Sequence, residues 1–574
     1  MTQGKVHFTD LQDQKWSRRE AVHHHMDMTK TRMVLLGAVF VFAFLIISFR
    51  LFDLCVLRHS HGGSLAYEGA GHNSLLVRGD VVDRNGEVLA TSLRTYSLYA
   101  NAKVIIDPKE AASKLLKVMP ELNYKDVLAR LQSDKGFVWL ARHLTPNKQA
   151  EVLRLGIPGL YFQKDERRVY PHGPLLAHVL GFTDIDNHGI SGVEKKFDQL
   201  LISGEEKLQL SIDVRVQHIL RDELMAGIEK FRAVGASGVI MDVKTGEILA
   251  MASLPDFDPN QVKKIGANAE VLFNTASLGT YEMGSSFKIM NTALYLESGL
   301  GNLYSQFDVT GPYKLGRFRI KDFHPHFGPM KVADIFIESS NIGSARMALQ
   351  VGQERQQNFF KQLGFFQSAP IELPEVGAPI YPKEWSEPTL ITSSYGYGVA
   401  ITPVQLVAAL SGIVNNGIMN KPTLLKIQPD EVAAGIQVIS AETSATMRKL
   451  LYMSTAIGRS GKAKVPGYEV GGKTGTANTI EGRAYKEKSN RTTFLGAFPM
   501  SDPKYAILVI LDKPQAVEGT YGFNAAGWNA APVAGKVIKR IATVLKVMPT
   551  AQAEFQKKPK ESMLIDASYM PKGN

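Results

Sequence analysis

The sequence has 574 residues and a single cysteine, Cys55. One cysteine excludes an intramolecular disulfide and any zinc site built from cysteines. Between residues 71 and 225 there is no repeat, no nucleotide-binding loop and no pair of metal ligands, and the run His23–His25 is better explained as a polar tract than as a metal site. We therefore expect no cofactor and no metal.

Acidic residues are the scarcer charge: 55 Asp and Glu stand against 66 Lys and Arg, which gives a formal net charge of +11. This excess is compatible with nucleic acid, an anionic membrane surface or a polyanionic matrix, and composition does not choose among them. A hydrophobic fraction of 44% and a charged fraction of 21% are those of a folded chain, which excludes wholesale disorder. The length predicts two or three domains.

Charge is absent from the segment between Met33 and Phe49. The segment is close to the lower limit for a membrane span, and Arg50 after it can extend its side chain toward the headgroups. The preceding segment carries Lys15, Arg18, Arg19, Lys30 and Arg32, which predicts a cytoplasmic N-terminus and an exported remainder. A cleaved signal peptide, an acylated Cys55 and a buried soluble helix are the alternatives. We predict an uncleaved single-pass anchor.

Hydrophobic periodicity organises the rest of the chain into two folded parts. The first alternates short strands with helices, including helical spacing over residues 111–132. In the second, a hairpin at residues 238–252, three later strands (468–476, 492–498 and 505–511) and a helix at 532–546 predict one α/β domain. The predicted divisions are a tail at 1–32, the anchor at 33–57, a non-catalytic domain at 58–225, the α/β domain at 226–548 and a second tail at 549–574.

A first chemical motif, Ser285-Ser286-Phe287-Lys288, opens an apolar helical stretch. The spacing of three places Ser285 and Lys288 one turn apart on one helix face. A helix N-terminus offers free N–H groups, and a desolvated lysine can lose its proton and act as a base. The motif indicates a serine nucleophile activated without histidine, although the same residues alone could form a helix cap.

Two further motifs follow in order. In Ser339-Ser340-Asn341, the hydroxyl could relay a proton and the amide could hold a substrate peptide group. In the segment Lys473–Thr476, glycine would let a substrate backbone lie against a strand edge, while the hydroxyls and the ammonium grip a carboxylate. Each of the two could instead be an ordinary turn or cap.

Together the motifs S-x-x-K, S-x-N and K-T-G are the set found in penicillin-binding proteins and class A β-lactamases. After the predicted anchor, nearly the whole chain resembles the class B penicillin-binding proteins, and most closely their septal D,D-transpeptidases. The likeness includes Arg78–Gly79 with Asp83–Gly86, His178–Thr183, Gly189–Lys195, and Ser394–Gly398 followed by Thr402–Leu406. Met283 departs from the family, which usually has proline there, and we expect the change to alter the stiffness of the turn.

The resemblance implies a penicillin-binding/β-lactamase-like transpeptidase domain, an antiparallel sheet flanked by helices. It would follow an elongated α+β pedestal domain of the dimerisation type and a single N-terminal transmembrane helix, without a peptidoglycan glycosyltransferase domain. The implied catalytic residues are Ser285, Lys288, Ser339, Asn341 and Lys473, and the implied substrate-binding residues are Thr474, Gly475 and Thr476.

The implied activity is that of a peptidoglycan D,D-transpeptidase that crosslinks stem peptides ending in D-Ala-D-Ala through a serine acyl-enzyme during cell division, and that β-lactams acylate. Implied partners are a membrane glycan polymerase and other division proteins, not nucleic acid, with the catalytic domain on the periplasmic side of the bacterial inner membrane. An elongation-type transpeptidase, a D,D-carboxypeptidase and a catalytically idle division scaffold are the alternatives. No deacylating glutamate of the β-lactamase kind is recognisable, which favours transfer to an amine over hydrolysis.

Overall fold

The computed structural model describes residues 38, 40–48, 77–204, 207–265, 269–316, 318–428, 430, 434–481 and 484–549. Residues 40–48 are helical and exposed. Within the described ranges, no helix combines the length and the apolar character needed to cross a bilayer. Most of the predicted anchor at 33–57, and nearly all of the two predicted tails, lie outside the described residues.

The N-terminal domain is built on a sheet whose central strand, β2, is 13 residues long. Strand order is β3-β2-β1-β5, and β4 also pairs with β2, antiparallel from Thr91 opposite Val169 to Ala100 opposite Leu160. These strands are β1 Val81–Val82, β2 Val88–Ala100, β3 Val138–Leu144, β4 Leu160–Val169 and β5 Leu208–Gln209.

The helices of this domain pack around the sheet. They are Pro108–Val118, Tyr124–Leu131, Pro146–Leu153, Ala177–Leu180, Gly192–Lys196 and Asp198–Ser203. The single helical run predicted over residues 111–132 is therefore two helices. Pro120 lies in the break, and Asn123 caps the second helix by accepting from the backbone N–H of Lys125.

A buried ion cluster ties this domain together. The Glu194 carboxylate is fully buried and accepts from Nε of Arg78 at 2.8 Å and from Nε of Arg168 at 2.7 Å. Arg78 also pairs with Asp198 at 2.7 Å. Arg78 and Glu194 come from two of the segments on which the family likeness rests, so those segments meet in one electrostatic cluster.

The two domains join through polar contacts and a shared helix. Arg84 pairs with Glu247 at 3.3 Å, and the Asp83 carboxylate accepts from the backbone N–H of Val214 at 3.2 Å. The helix Val214–Phe231 begins there and packs against the strands Gly235–Asp242 and Ile248–Leu254 of the C-terminal domain. The predicted division between residues 225 and 226 falls inside this helix.

The C-terminal domain has a five-stranded antiparallel sheet of order β14-β15-β16-β6-β7. The hairpin and the three later strands predicted from the sequence are all present, and the N-terminal strands lie beside the C-terminal ones. The strands are β6 Gly235–Asp242, β7 Ile248–Leu254, β14 Gly471–Glu481, β15 Ala484–Phe498 and β16 Tyr505–Asp512. The remaining short strands are β8 Gln306–Asp308, β9 Tyr313–Leu315, β10 Phe318–Ile320, β11 Pro329–Lys331, β12 Ile418–Met419 and β13 Ile436–Gln437.

Helices cover both faces of the sheet, because alternate residues of each strand point to opposite sides. On β16, Leu508 and Ile510 join one core and Ile507 and Val509 the other. One face holds the helices Val214–Phe231 and Ala530–Val544. The other holds Lys288–Glu297, Val332–Glu338, Asn341–Val351, Gln353–Gln362, Glu387–Ser393, Pro403–Val414 and Ala441–Ala456.

The buried cluster around Glu194 generates a stability prediction. Glu194→Gln leaves Arg78 and Arg168 buried without their shared carboxylate, so we expect the free energy of unfolding in urea to fall by about 3–5 kcal/mol. Glu110→Gln is the matched control, because Glu110 forms an exposed pair with Lys114 at 2.7 Å and should cost no more than about 0.5 kcal/mol. Equal losses in the two variants would contradict the assignment.

Candidate active site

The turn that carries Ser285 is fixed by close backbone packing. Gly284–Phe287 forms a 3₁₀ turn that continues into the helix Lys288–Glu297. Gly284 has a φ of +54°, and a Cβ there would lie 2.7 Å from the carbonyl oxygen of Thr476. A Cβ on Gly475 would lie 2.4 Å from the carbonyl oxygen of Met283. Only glycine at these two positions lets the serine turn rest on β14.

The amine of Lys288 is the centre of the site. It is fully buried, and its Nζ lies 2.5 Å from the Ser339 carbonyl oxygen, 3.1 Å from Ser339 Oγ and 2.7 Å from Asn341 Oδ1. Burial and then the charge of Lys473 lower the pKa of Lys288 well below its ordinary value of 10.5, while Asp322 opposes the shift. A neutral amine has two N–H groups, which can donate hydrogen bonds to the Ser339 carbonyl oxygen and the Asn341 amide oxygen. Its lone pair then remains for a proton.

The Ser339–Asn341 segment lies between two helices. Ser339 ends the helix Val332–Glu338 in the left-handed conformation, with a φ of +64°. Ser340 caps the next helix, Asn341–Val351, by accepting from the backbone N–H of Gly343 at 2.9 Å. This sharp change of direction turns the carbonyl, the hydroxyl and the amide of the motif toward one point.

The residues of the third motif alternate along strand β14 between buried and partly exposed positions. Lys473 and Gly475 are buried, whereas Thr474 and Thr476 are partly exposed. Among the described residues, Lys473 Nζ has no hydrogen-bond partner, and it lies 5.8 Å from the ring centre of Phe336. Burial, followed by the charge of Arg459, lowers the pKa of Lys473 to about 7. Lys473 is thus a second buried amine that can exchange a proton near neutral pH.

These elements enclose a cleft of about 580 Å³. Ser285, Ser339, Asn341, Thr474 and Thr476 line it, whereas Lys288 and Lys473 are buried and are not among its lining residues. Its other lining residues include the aromatic side chains Phe323, Tyr395, Tyr397, Phe523 and Trp528. The cleft therefore combines the Ser285 hydroxyl, two strand hydroxyls and an apolar wall.

The edge of β14 is open toward this cleft. β14 ends the sheet order, and the backbone N–H of Thr474 points away from β15 and donates to Ser460 Oγ at 3.2 Å. Two residues later the strand repeats its orientation, so the N–H of Thr476 faces the same side. The Thr476 hydroxyl accepts from the backbone N–H of Ala526 at 3.1 Å, which fixes its orientation.

Seven of the eight site residues predicted from the sequence line the cleft or lie buried behind it, and Gly475 supports the turn of Ser285 instead of lining the cleft. Sequence reasoning missed Asp322, Arg459 and Ser460, which carry no motif. Arg459 pairs with Glu338 at 2.8 Å, at the edge of the cleft. Tyr395 and Tyr397 also line the cleft.

Lys473 generates a prediction on stability and pH. Its pKa is about 7 in the folded protein against 10.5 ordinarily, so its burial destabilises the fold most below pH 7 and progressively less as the pH rises toward 10.5. We expect Lys473→Met to raise the calorimetric unfolding temperature more at about pH 6 than at about pH 9. Lys464→Met, at an exposed lysine, should change little at either pH, and an equal gain of Lys473→Met at both would contradict the prediction.

Comparison with protein families agrees with the two-domain architecture. The family model of the penicillin-binding protein dimerisation domain matches residues 76–222, and that of the penicillin-binding protein transpeptidase domain matches residues 236–539. A crystal structure of penicillin-binding protein 3 from Mycobacterium, complexed with aztreonam, is similar with a TM-score of 0.65 and 25% identity, over 83% of this chain and 97% of that one. The predicted transpeptidase and dimerisation-type domains are confirmed, whereas the predicted transmembrane helix stays a prediction.

Curated relatives share most of the chain. It is 38% identical over 549 residues to the probable peptidoglycan D,D-transpeptidase FtsI of Caulobacter vibrioides, covering 93% of this chain and 91% of the relative. It is 31% identical to the probable peptidoglycan D,D-transpeptidase PenA of Neisseria gonorrhoeae, with 82% and 85% covered. It is 29% identical to the peptidoglycan D,D-transpeptidase FtsI of Escherichia coli, with 83% and 84% covered. With its motifs gathered in one cleft, the chain belongs to the class B penicillin-binding proteins and is a serine-type peptidoglycan D,D-transpeptidase of the FtsI type.

Proposed function

We propose that the cleft joins stem peptides ending in D-Ala-D-Ala through an acyl-enzyme on Ser285. The observation that carries this proposal is the contact of the buried Lys288 amine with Ser339 and Asn341, one helical turn from Ser285. A basic amine and a hydroxyl nucleophile one helical turn apart form the minimal apparatus of acyl transfer.

In the first half-reaction, Ser285 Oγ attacks the carbonyl carbon of the penultimate D-Ala, and Lys288 accepts the hydroxyl proton. Burial lowers the pKa of Lys288 well below its ordinary value and so favours the neutral amine, because the surroundings disfavour the ammonium. Proton transfer to a positioned base of this kind contributes about 10²–10⁴-fold to the rate. The peptide bond then breaks and the terminal D-Ala leaves as an amine.

The negative charge that develops on the carbonyl oxygen during this attack must be stabilised by hydrogen-bond donors at fixed positions. The backbone N–H groups of Ser285 and Thr476 are the proposed pair, since the Thr476 N–H faces outward from the edge strand and Ser285 lies on the turn packed against it. Removing one donor of such a pair costs about 10²–10³-fold in rate. The substrate would extend along β14 as an added strand, held by backbone hydrogen bonds.

The remaining predicted residues act on the leaving group and the substrate carboxylate. Ser339 and Lys473 pass a proton to the departing D-Ala, for which the pKa of Lys473 near 7 is suited. Thr474 and Thr476 contact the terminal carboxylate of the substrate. Asn341 holds a peptide group of the stem peptide that donates the acyl group. An amine of a neighbouring stem peptide then attacks the acyl-enzyme, which forms the crosslink and frees Ser285.

The setting of the reaction is also part of the proposal. The uncharged segment at residues 33–49 supports a single-pass anchor in the bacterial inner membrane, with the folded domains in the periplasm. The relatives named peptidoglycan D,D-transpeptidase support a role in wall synthesis, and the resemblance to septal enzymes favours the division septum as its location. Partners would be a membrane glycan polymerase and other division proteins, reached through the anchor and the dimerisation domain.

Penicillin labelling tests the nucleophile. We expect mass spectrometry of the penicillin-treated full chain to show one adduct on Ser285, and Ser285→Ala to lose at least about 10³-fold in acylation rate. Ser286→Ala is the matched control: Ser286 is the next residue, fully buried, and its hydroxyl has no hydrogen-bond partner in the described part of the chain. It should label like wild type. An adduct on another residue, or undiminished labelling of Ser285→Ala, would refute the proposed role.

A second test separates crosslinking from hydrolysis. With a stem-peptide analogue and an excess of a free D-amino acid, we expect most acyl-enzyme to be captured as the exchange product, since an amine is the natural acceptor. Chromatography of the products measures the ratio of exchange to hydrolysis. Predominant hydrolysis at saturating D-amino acid would instead identify a D,D-carboxypeptidase.

A further inference from the structure

Asp322 lies outside the three motifs yet contacts one of them directly. It follows β10 and lies at the start of the helix Asn341–Val351. One carboxylate oxygen accepts from the backbone N–H groups of Asn341 at 2.5 Å and Ile342 at 3.1 Å, and the other accepts from the Ser340 hydroxyl at 2.6 Å. Three donors of the motif region therefore converge on this carboxylate.

The residue before it fixes the Asn341 amide. The backbone carbonyl of Lys321 accepts from Asn341 Nδ2 at 2.9 Å, which directs Oδ1 toward Lys288 Nζ, 2.7 Å away. An amide turned the other way would present N–H groups to the amine and remove that acceptor. Residues 321 and 322 together thus hold the backbone and the side chain of Asn341.

Asp322 also supplies the negative charge that acts on the buried amine. The charged groups acting on Lys288 are Lys473, whose charge lowers its pKa, and Asp322, whose charge raises it. The groups in direct contact with its Nζ, on Ser339 and Asn341, are neutral. Asp322 therefore partly offsets the repulsion between the two lysines.

We propose that Asp322 is a positioning residue for acyl transfer: its carboxylate caps the helix that begins at Asn341 and so holds Ser339 and Asn341 against Lys288. The inference rests on the proposed roles of Ser285 and Lys288. The capping serine of the motif cannot do this alone, because the Ser340 hydroxyl accepts only from Gly343, which leaves the N–H groups of Asn341 and Ile342 to Asp322.

Two substitutions separate its geometric and its electrostatic effects. Asp322→Ala removes both the acceptors and the charge, and we expect penicillin acylation of the full chain in detergent to slow by about 10²-fold, as for other misplacements of a reacting group. Asp322→Asn keeps an acceptor oxygen for the two N–H groups, so we expect a loss of about tenfold or less. The acidic limb of the pH profile of its acylation rate should move to lower pH, since losing the negative charge lowers the pKa of Lys288. Asp334→Asn, on the helix before Ser339, is the matched control and should match wild type in rate and pH profile.

Each result decides the inference. Should Asp322→Ala not fold, as judged by its thermal unfolding, Asp322→Asn decides alone through its pH profile, which a merely structural loss would not move. A wild-type acylation rate in folded Asp322→Ala, or an unmoved acidic limb in Asp322→Asn, would overturn the positioning role. Failure of wild-type Ser285 to acquire the adduct would instead refute the proposed function itself.

Discussion

The site depends on keeping one lysine amine out of water. Lys288 is buried against Ser339 and Asn341, so its charged form is disfavoured and its neutral form can take a proton. That state requires acceptors at fixed positions, which the sharp turn at Ser339 and the helix cap after it supply. Without that burial the amine would be a solvated cation, and the serine one turn earlier would have no base.

Placing the nucleophile is a separate constraint, and packing solves it. The serine turn touches β14 so closely that a side chain on Gly284 or Gly475 would collide with opposing backbone. This contact brings Ser285 beside the open edge of the sheet, where the N–H of Thr476 faces the cleft. The proposed nucleophile and the proposed donor for the developing charge are thus placed by one backbone interface.

Parts of the chain far from the cleft also help to hold the site in place. The sheet is covered on both faces, so β14 can be an edge strand without the domain losing its core. The dimerisation domain holds its own segments together through the buried Glu194 and contacts the catalytic domain through Asp83 and Arg84. The helix Val214–Phe231 begins at that junction and packs on the sheet, so it links the two domains.

Hydrophobic periodicity was sufficient for an α/β domain and for the strands of its central sheet, and residue spacing was sufficient for the three motifs, because both are properties of the chain itself. The family resemblance carried by those motifs implied the rest of the fold class. The break in the predicted helix over residues 111–132 was also encoded, by Pro120, although periodicity ran through it. Contacts between remote segments were not readable. Asp322 belongs to none of the three motifs in sequence, yet in the folded chain its carboxylate accepts from the backbone N–H of Asn341. The pKa of Lys473 near 7 likewise follows from its burial. Such features depend on which surfaces the folded chain brings together, and only the tertiary structure decides that.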